Sequence, residues 1–212
     1  MTAMTAQRMT DAPVPLEEHV PTADQFVMLR GDWQTFKAML ALRGDHSRPR
    51  MAYLDGVVEL MSPSKPHEGI KSAIGDLVAA YCQDSGIAYS SVGSWTHEDD
   101  TEEAGLEPDE CFLFGSDHAA RERADLAVEV VWTRGGLKKL EIYRRLQVRE
   151  VWYWEKEAIS VYVLGADGYR TVERSAVLPD LDLALIARLA TVVPTSAAVG
   201  ELREALRQRG GA

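Results

Sequence analysis

Hydrophobic and polar positions follow two periods along the chain, one typical of helices and one typical of strands. The first helical period begins after Asp32 and ends at Gly44. Its large apolar residues recur every three or four positions, at Trp33, Phe36, Met39, Leu40 and Leu42. Asp55-Gly56 then separates two short β-prone runs, which predicts a tight hairpin because such turns need positive φ values. A second helix is predicted from about His67 to Asp84.

The second half of the chain predicts strands that alternate with helices. The predicted strands are 87–96, 108–114, 125–132, 148–154 and 159–164. The predicted helices are 137–146, 181–189 and 199–207. The acidic stretch His97–Gly105 is expected to be a solvated, mobile loop, with a metal site as the minor alternative. Together the elements predict an α/β fold in which helices flank a mixed central sheet, with an N-terminal helix and hairpin.

Composition and length limit the class of protein. The chain has 212 residues, enough for one domain with a real core, which we place at 22–212. Residues 1–21 contain three prolines and few large apolar residues, and we expect a disordered arm. No apolar run approaches the roughly 20 residues that a membrane helix needs. The start has no secretory pattern, and Cys82 and Cys111 lack ligand spacing, so two buried free thiols in the cytoplasm are expected.

The net charge is −10. Proteins that bind nucleic acid over a broad surface are usually basic, because contacts to phosphate dominate affinity. The acidic balance therefore argues against a large, exposed DNA-binding face. It is compatible with a local basic patch, or with a metal ion that neutralises an acidic site.

Two carboxylates stand out within the predicted strands. The run 125–131 is apolar on both faces except for Asp125 and Glu129, which is typical of a covered central strand. A carboxylate within such a strand is costly unless it is paired or binds a cation. In the preceding strand either Asp109 or Glu110 could point inward, and spacing does not choose between them. Asp109 lies at the start of that strand, where a site at the end of a sheet would need it.

A lysine lies on the wrong face of the helix predicted after Gly136. At about 100° per residue, Lys139 falls in the middle of the apolar arc, so its ammonium group is expected to point toward the sheet. An inward lysine needs a partner, and Glu129 on the adjoining strand is the natural one. The pair is either purely structural or part of a metal site, in which carboxylate oxygens hold Mg²⁺ and the lysine stabilises the attacking hydroxide or the transition state.

Aspartate and glutamate on successive strands with a nearby lysine resemble the PD-(D/E)XK nuclease superfamily. The surrounding segments resemble the Uma-type family of restriction-endonuclease-like proteins over about 51–189. The matching segments are Tyr53–Gly56, Met61–Ser64 with His67, Glu107–Cys111, Asp125–Val131, Lys139–Tyr143 and Val148–Trp152. Each segment alone is weak, but their order and spacing together are fairly specific.

This resemblance implies a restriction-endonuclease-like core that hydrolyses DNA phosphodiester bonds, commonly as a homodimer. Asp109 and Glu129 would be ligands of Mg²⁺ or Mn²⁺, and Lys139 would assist catalysis. The superfamily's lysine normally stands two residues after the acid, where this chain has Val131, so the resemblance implies that it has moved to Lys139. Many relatives also carry an acidic residue shortly before that lysine, and the segment 132–137 has none.

His67 and Glu59 are auxiliary candidates. His67 lies on the apolar side of its helix, and a core or capping role is favoured over a role in the site. Glu59 could approach the site or be a surface charge on an edge strand. Glu68 and Arg134 are expected at the surface, and the aromatic run 152–154 indicates packing or a subunit interface.

Two functions follow from these patterns. The first is a metal-dependent endonuclease, which the set of Asp109, Glu129 and Lys139 favours. The second is a non-catalytic interaction or nucleic-acid-binding module that keeps the fold and a structural ion pair, which the acidic net charge favours. Convergence of the three residues on a solvent-open cleft would favour the first.

Overall fold

A computed structural model describes residues 22–117 and 121–210. The strands are β1 (Gln25–Arg30), β2 (Arg50–Leu54), β3 (Val57–Ser62), β4 (Tyr89–Ser91), β5 (His97–Asp99), β6 (Ala104–Leu106), β7 (Glu110–Phe114), β8 (Leu126–Val130), β9 (Glu150–Glu155), β10 (Ala158–Gly165) and β11 (Gly168–Val172). The helices are α1 (Trp33–Arg43), α2 (Lys65–Asp84), α3 (Lys139–Arg145), α4 (Leu183–Leu189) and α5 (Thr195–Gly210).

The strands form two sheets. One sheet has the order β1-β3-β2-β6-β5, and its pairs are antiparallel. The other has the order β11-β10-β9-β8-β7-β4 and is mixed, because β8 and β9 are parallel while the other pairs are antiparallel. Helix α3 makes the crossover between the parallel strands. The predicted mixed α/β fold with flanking helices is therefore confirmed.

The six-stranded sheet is covered on both faces. Helices α2, α4 and α5 pack on one face, where Leu126, Val128 and Trp152 contribute to the main core. Helix α3 and the five-stranded sheet cover the other face through Ala52, Leu106, Ala127, Ile142 and Tyr143. Because β8 lies between these two layers, each of its five residues is buried, including Glu129. The central position predicted for this strand is confirmed.

Local chemistry explains the elements that the sequence predicts. The Asp32 side chain accepts a hydrogen bond from the Thr35 amide and caps α1, and Gly44 ends the helix at a φ of 60°. Asp55 and Gly56 have φ values of 47° and 82°, as the predicted hairpin turn requires. Helix α2 begins at Lys65 rather than His67, because the Ser64 side chain caps it and proline is tolerated in a first turn.

Other elements differ from the prediction. The stretch His97–Gly105 was expected to be a solvated loop, but it forms the hairpin β5–β6. Ala104 and Leu106 are fully buried there, so packing against the rest of the sheet outweighs the acidic composition. The strand predicted over 87–96 is limited to Tyr89–Ser91, which pairs with the end of β7. Strands β1 and β11 were not predicted. Both are edge strands without buried residues, so neither shows a clear alternation of buried and exposed positions.

Several further expectations concern burial. Trp152 and Trp154 are buried, and the Trp154 indole donates to the Ala187 carbonyl oxygen, so the aromatic run serves packing within this chain. Cys82 and Cys111 are buried free thiols, as expected. Within the ranges described, no helix is both long and apolar enough to cross a membrane. The arm expected over 1–21 lies outside the described residues.

Gly105 in β6 provides a test of the packing between α1 and the five-stranded sheet. A Cβ atom at this position would lie 2.7 Å from the ring of Phe36, which is fully buried in the core. We expect Gly105→Ala to lower the free energy of unfolding by about 1–3 kcal/mol, measured by urea denaturation.

Gly200→Ala in α5 is the matched control, because an added Cβ there meets nothing within 4 Å. It is expected to raise the free energy of unfolding by about 0.5–1 kcal/mol, as alanine does in an exposed helix interior. A Gly105→Ala protein as stable as the wild type would contradict the packing described.

Candidate active site

The centre of the site is a buried ion pair between Glu129 and Lys139. The Lys139 ammonium donates to Glu129 Oε2 at 2.6 Å, and the Tyr143 hydroxyl donates to Glu129 Oε1. Lys139 and Tyr143 are four residues apart on α3, so their side chains reach β8 from the same face of the helix. The inward direction predicted for Lys139 and its pairing with Glu129 are both confirmed.

Burial and neighbouring charge act in opposite directions on this pair. Burial raises the pKa of Glu129, and the charge of Asp109 adds to this effect, whereas Lys139 lowers it. For Lys139, burial favours a lower pKa, but the carboxylates of Glu129, Asp109 and Glu59 outweigh it and raise the pKa above its usual range. Lys139 is therefore a permanent ammonium group that faces three acids.

Asp109, and not Glu110, points toward this site. Its Oδ1 accepts from Arg50, and its Oδ2 accepts from the Val130 amide at 2.6 Å and lies 3.0 Å from His67 Nε2. Burial favours a higher pKa for Asp109, but His67 and Arg50 hold it well below its usual range. Glu110 lies on the opposite face of β7, where it contacts Ser91 and Lys71. The spacing of the sequence left open whether Asp109 or Glu110 points inward. The pairing of β7 in the sheet selects Asp109.

His67 connects Asp109 to a second acid. Its Nδ1 lies 3.1 Å from Asp24 Oδ2, and only 1% of its side chain is exposed. Burial favours a lower pKa for His67, but the hydrogen bonds to Asp109 and Asp24 outweigh it and raise the pKa to about 9. At neutral pH His67 is an imidazolium ion that donates to both acids. It is buried, as the favoured interpretation had it, and it also contacts a candidate site residue directly.

Asp24 and Arg50 belong to this cluster, although sequence patterns did not single them out. Asp24 precedes β1, in a segment without a clear period, and it also accepts from the Ser64 amide. Arg50 begins β2 and donates from Nη2 to Glu68 at 2.6 Å as well as to Asp109. Glu68 was expected to be a solvated acid, but its side chain is only 27% exposed because of this contact.

Glu59 lies beside the central pair and is not a surface charge. Strand β3 runs between β1 and β2, so the edge-strand interpretation is wrong, and Glu59 is 1% exposed. Its Oε2 accepts from the Leu137 amide at 2.5 Å. The same oxygen would lie 2.6 Å from a Cβ atom at Gly136, where φ is 86°, so the approach depends on glycine. Glu59 thereby anchors the segment that leads into Lys139.

Carboxylates outnumber cations in this cluster. Four buried acids, Asp24, Glu59, Asp109 and Glu129, face Arg50, His67 and Lys139. A small cavity of about 70 Å³ opens between Glu59, Glu129 and Lys139. The Lys139 side chain remains 15% exposed, so the pair is not sealed beneath other side chains. Because negative charge is in excess at this cavity, the binding of an added cation or proton is electrostatically favoured there.

The acids fit a hard divalent cation in ligand type and in charge. As the side chains stand in 22–117 and 121–210, no group of three or more His, Cys, Asp or Glu could hold a metal ion. Protein donors occupy the oxygens of both Asp109 and Glu129. A cation that bound Glu129 would therefore compete with the ammonium group of Lys139.

Other predicted candidates lie outside the cluster. Arg134 is 80% exposed and pairs with Glu155 at 3.0 Å, as expected of a surface arginine. In the acidic stretch, Asp99 pairs with Arg123 and accepts from the amides of Thr101 and Glu102. The Asp99 side chain thereby stabilises the tip of the β5–β6 hairpin.

The mixed sheet has an acid before β7 and an acid in β8, and a lysine lies on the helix that follows β8. The model of the Uma2 family, described as "Putative restriction endonuclease", matches residues 33–191. The chain therefore belongs to the Uma2 family. A solved structure from Anabaena variabilis, titled a putative nuclease belonging to DUF820, is 12% identical with a TM-score of 0.44. The match covers 76% of this chain and 96% of that chain. No curated protein matches this chain.

The raised pKa of His67 predicts a dependence of stability on pH. Since the pKa is about 9 in the folded protein and 6.5 ordinarily, the stabilisation is fully present below pH 6.5 and is lost as the pH rises through 9. We expect the free energy of unfolding in urea to fall across this window in the wild type. The fall should be much smaller in His67→Gln.

His46→Gln is the control, because His46 is an exposed histidine outside the cluster. Its unfolding free energy should keep the wild-type dependence on pH. An undiminished fall between pH 6.5 and 9 in His67→Gln would show that the imidazolium is not formed as described.

Proposed function

We propose that this protein is a metal-dependent endonuclease that hydrolyses phosphodiester bonds in DNA. The observation that carries the proposal is the buried Glu129–Lys139 pair at a small open cavity where acids exceed cations. Membership of the Uma2 family supports the nuclease class. Phosphodiester hydrolysis needs an activated water and positive charge near the phosphate, and such a site can supply both.

Each residue of the cluster has a proposed role. Asp109 and Glu129 would hold Mg²⁺ or Mn²⁺, and such an ion, when bound, lowers the pKa of a coordinated water. Lys139 remains protonated and stabilises the negative charge that develops on the phosphate in the transition state. Tyr143 orients the Glu129 carboxylate through its second oxygen. Glu129 acts from β8, Lys139 and Tyr143 act from α3, and Asp109 acts from the residue before β7.

The remaining members act as positioning residues. His67 and Arg50 keep Asp109 ionised and oriented from the opposite side. Glu59 holds the Leu137 amide and so places the start of α3, where Lys139 stands. Loss of Glu59 would therefore act through the position of the lysine rather than through direct contact with a phosphate.

The competing proposal is a non-catalytic module in which the pair is structural. It is favoured by the hydrogen bonds that satisfy both Asp109 and Glu129, and by the net charge of −10. A cytoplasmic location and a homodimer stay predictions, which cell fractionation and light scattering would test.

Single substitutions in the pair test catalysis. We expect Glu129→Gln and Lys139→Met each to lower the rate of plasmid or oligonucleotide cleavage by about 100-fold or more, as loss of one charge-stabilising group does. Cleavage should require Mg²⁺ or Mn²⁺ and should stop in EDTA. The rate is measured at saturating protein, with folding checked by circular dichroism.

The chain offers a matched control pair on the opposite face of the sheet. Glu110 and Lys71 form a similarly buried contact at 3.5 Å, away from the cavity. Glu110→Gln and Lys71→Met should retain wild-type cleavage. If substitutions in both pairs lowered the cleavage rate equally, a general loss of structure would explain the result. Absence of metal-dependent cleavage on every nucleic acid tried would leave the non-catalytic module.

A further inference from the structure

A second and larger cavity adjoins the candidate active site. It has a volume of about 580 Å³, which is in the range of small-molecule sites in proteins. Its walls come from α3 and from the strands β9, β10 and β11. Leu137, Lys139 and Tyr153 line both this cavity and the small acidic one. The two cavities therefore meet at the catalytic candidate Lys139.

Three tyrosines give the larger cavity its character. Tyr153 and Tyr162 meet edge to face with ring centroids 5.6 Å apart, and Tyr169 lies on the neighbouring strand. The Tyr169 hydroxyl donates to the Val148 carbonyl oxygen. Within the part of the chain that the structure describes, the hydroxyls of Tyr153 and Tyr162 form no hydrogen bond. The cavity thus offers half-buried aromatic rings together with two hydroxyl groups that no residue of 22–117 or 121–210 engages.

Cations border the same cavity. Lys138, Lys139 and Arg144 contribute to its wall, and Arg144 is engaged by Glu141 at 2.8 Å. Lys138 is exposed and forms no ion pair with another described residue. Aromatic rings beside positively charged side chains are the combination that binds single-stranded nucleic acid, in which bases stack and phosphates meet positive charge.

We propose that this cavity, which we name the tyrosine cavity, receives one unstacked base of the DNA strand that is cut. The proposal rests on the proposed nuclease function and names its substrate class, single-stranded or locally unpaired DNA. The base and the phosphate of one nucleotide are joined through a single sugar. A site for the base must therefore open directly beside the site for the phosphate. The walls shared at Lys139 and Tyr153 meet that requirement. A base within an intact duplex could enter only by leaving its stack.

The test measures binding separately from cleavage. Fluorescein-labelled single-stranded and duplex oligonucleotides of one sequence are titrated with the full chain in EDTA, and anisotropy is recorded. The single strand should bind about tenfold or more tightly than the duplex. Tyr162→Leu should weaken single-strand binding about tenfold, which is the range of one base–aromatic stack. Tyr162→Phe keeps the ring and should bind within about twofold of the wild type.

Tyr89→Leu is the control, because Tyr89 is a half-buried tyrosine on β4, far along the sheet order from β10. It should leave binding unchanged. A second readout is photo-cross-linking with an oligonucleotide that carries one 5-bromouracil, followed by peptide mapping. The adduct should fall on Tyr153, Tyr162 or Tyr169.

The proposal is overturned by duplex binding that equals or exceeds single-strand binding, or by no detectable binding of either form. It is also overturned if Tyr162→Leu binds like the wild type, or if the adduct maps elsewhere. These results do not depend on turnover, since EDTA removes the divalent ions. A protein that binds single strands through the tyrosine cavity yet never cleaves would refute the nuclease function alone.

Discussion

The contact between the Lys139 ammonium and Glu129 is the interaction on which the rest of the site depends. Two charges removed from water lose much of their hydration, and their attraction compensates only when the geometry is close and the remaining hydrogen bonds are made. In this protein the oxygens of Glu129 accept from Lys139 and Tyr143. Removal of either charged partner would leave an uncompensated buried charge, at a cost of about 3–5 kcal/mol. An apolar pair of similar volume would stabilise the fold at least as well, so stability alone does not account for these two residues.

The fold brings the acids together from separate layers. Strand β8 is covered on one face by the α2–α4–α5 layer and on the other by α3 and the five-stranded sheet, and Glu129 projects to the second face. Glu59 reaches the same region from β3, and Asp109 reaches it from the position before β7. Arg50 and His67 compensate the charge of Asp109. Lys139 is then the cation that remains to compensate Glu59 and Glu129. The excess of carboxylates over cations therefore lies at the small cavity.

Much of this arrangement follows from periodicity in the sequence. Glu129 interrupts an apolar strand and Lys139 interrupts an apolar helix face, so each residue is conspicuous within its own element, and their nearness along the chain suggests the pair. Asp24 and Arg50 carry no such signal, because their partners lie 43 and 59 residues away and an ion pair between distant segments follows from tertiary packing. The β5–β6 hairpin was missed for a similar reason. Its acidic composition is typical of a loop, and only the burial of Ala104 and Leu106 against other elements makes it part of the sheet.

The most direct test of the central claim is the double variant Glu129→Gln/Lys139→Met, in which both unfolding free energy and metal-dependent cleavage are measured. If the pair is an active site held at the expense of stability, the double variant will be at least as stable as either single variant and will have lost cleavage. If the double variant recovers stability and also cleaves DNA at the wild-type rate, the pair is structural only, and its proposed role in catalysis is contradicted.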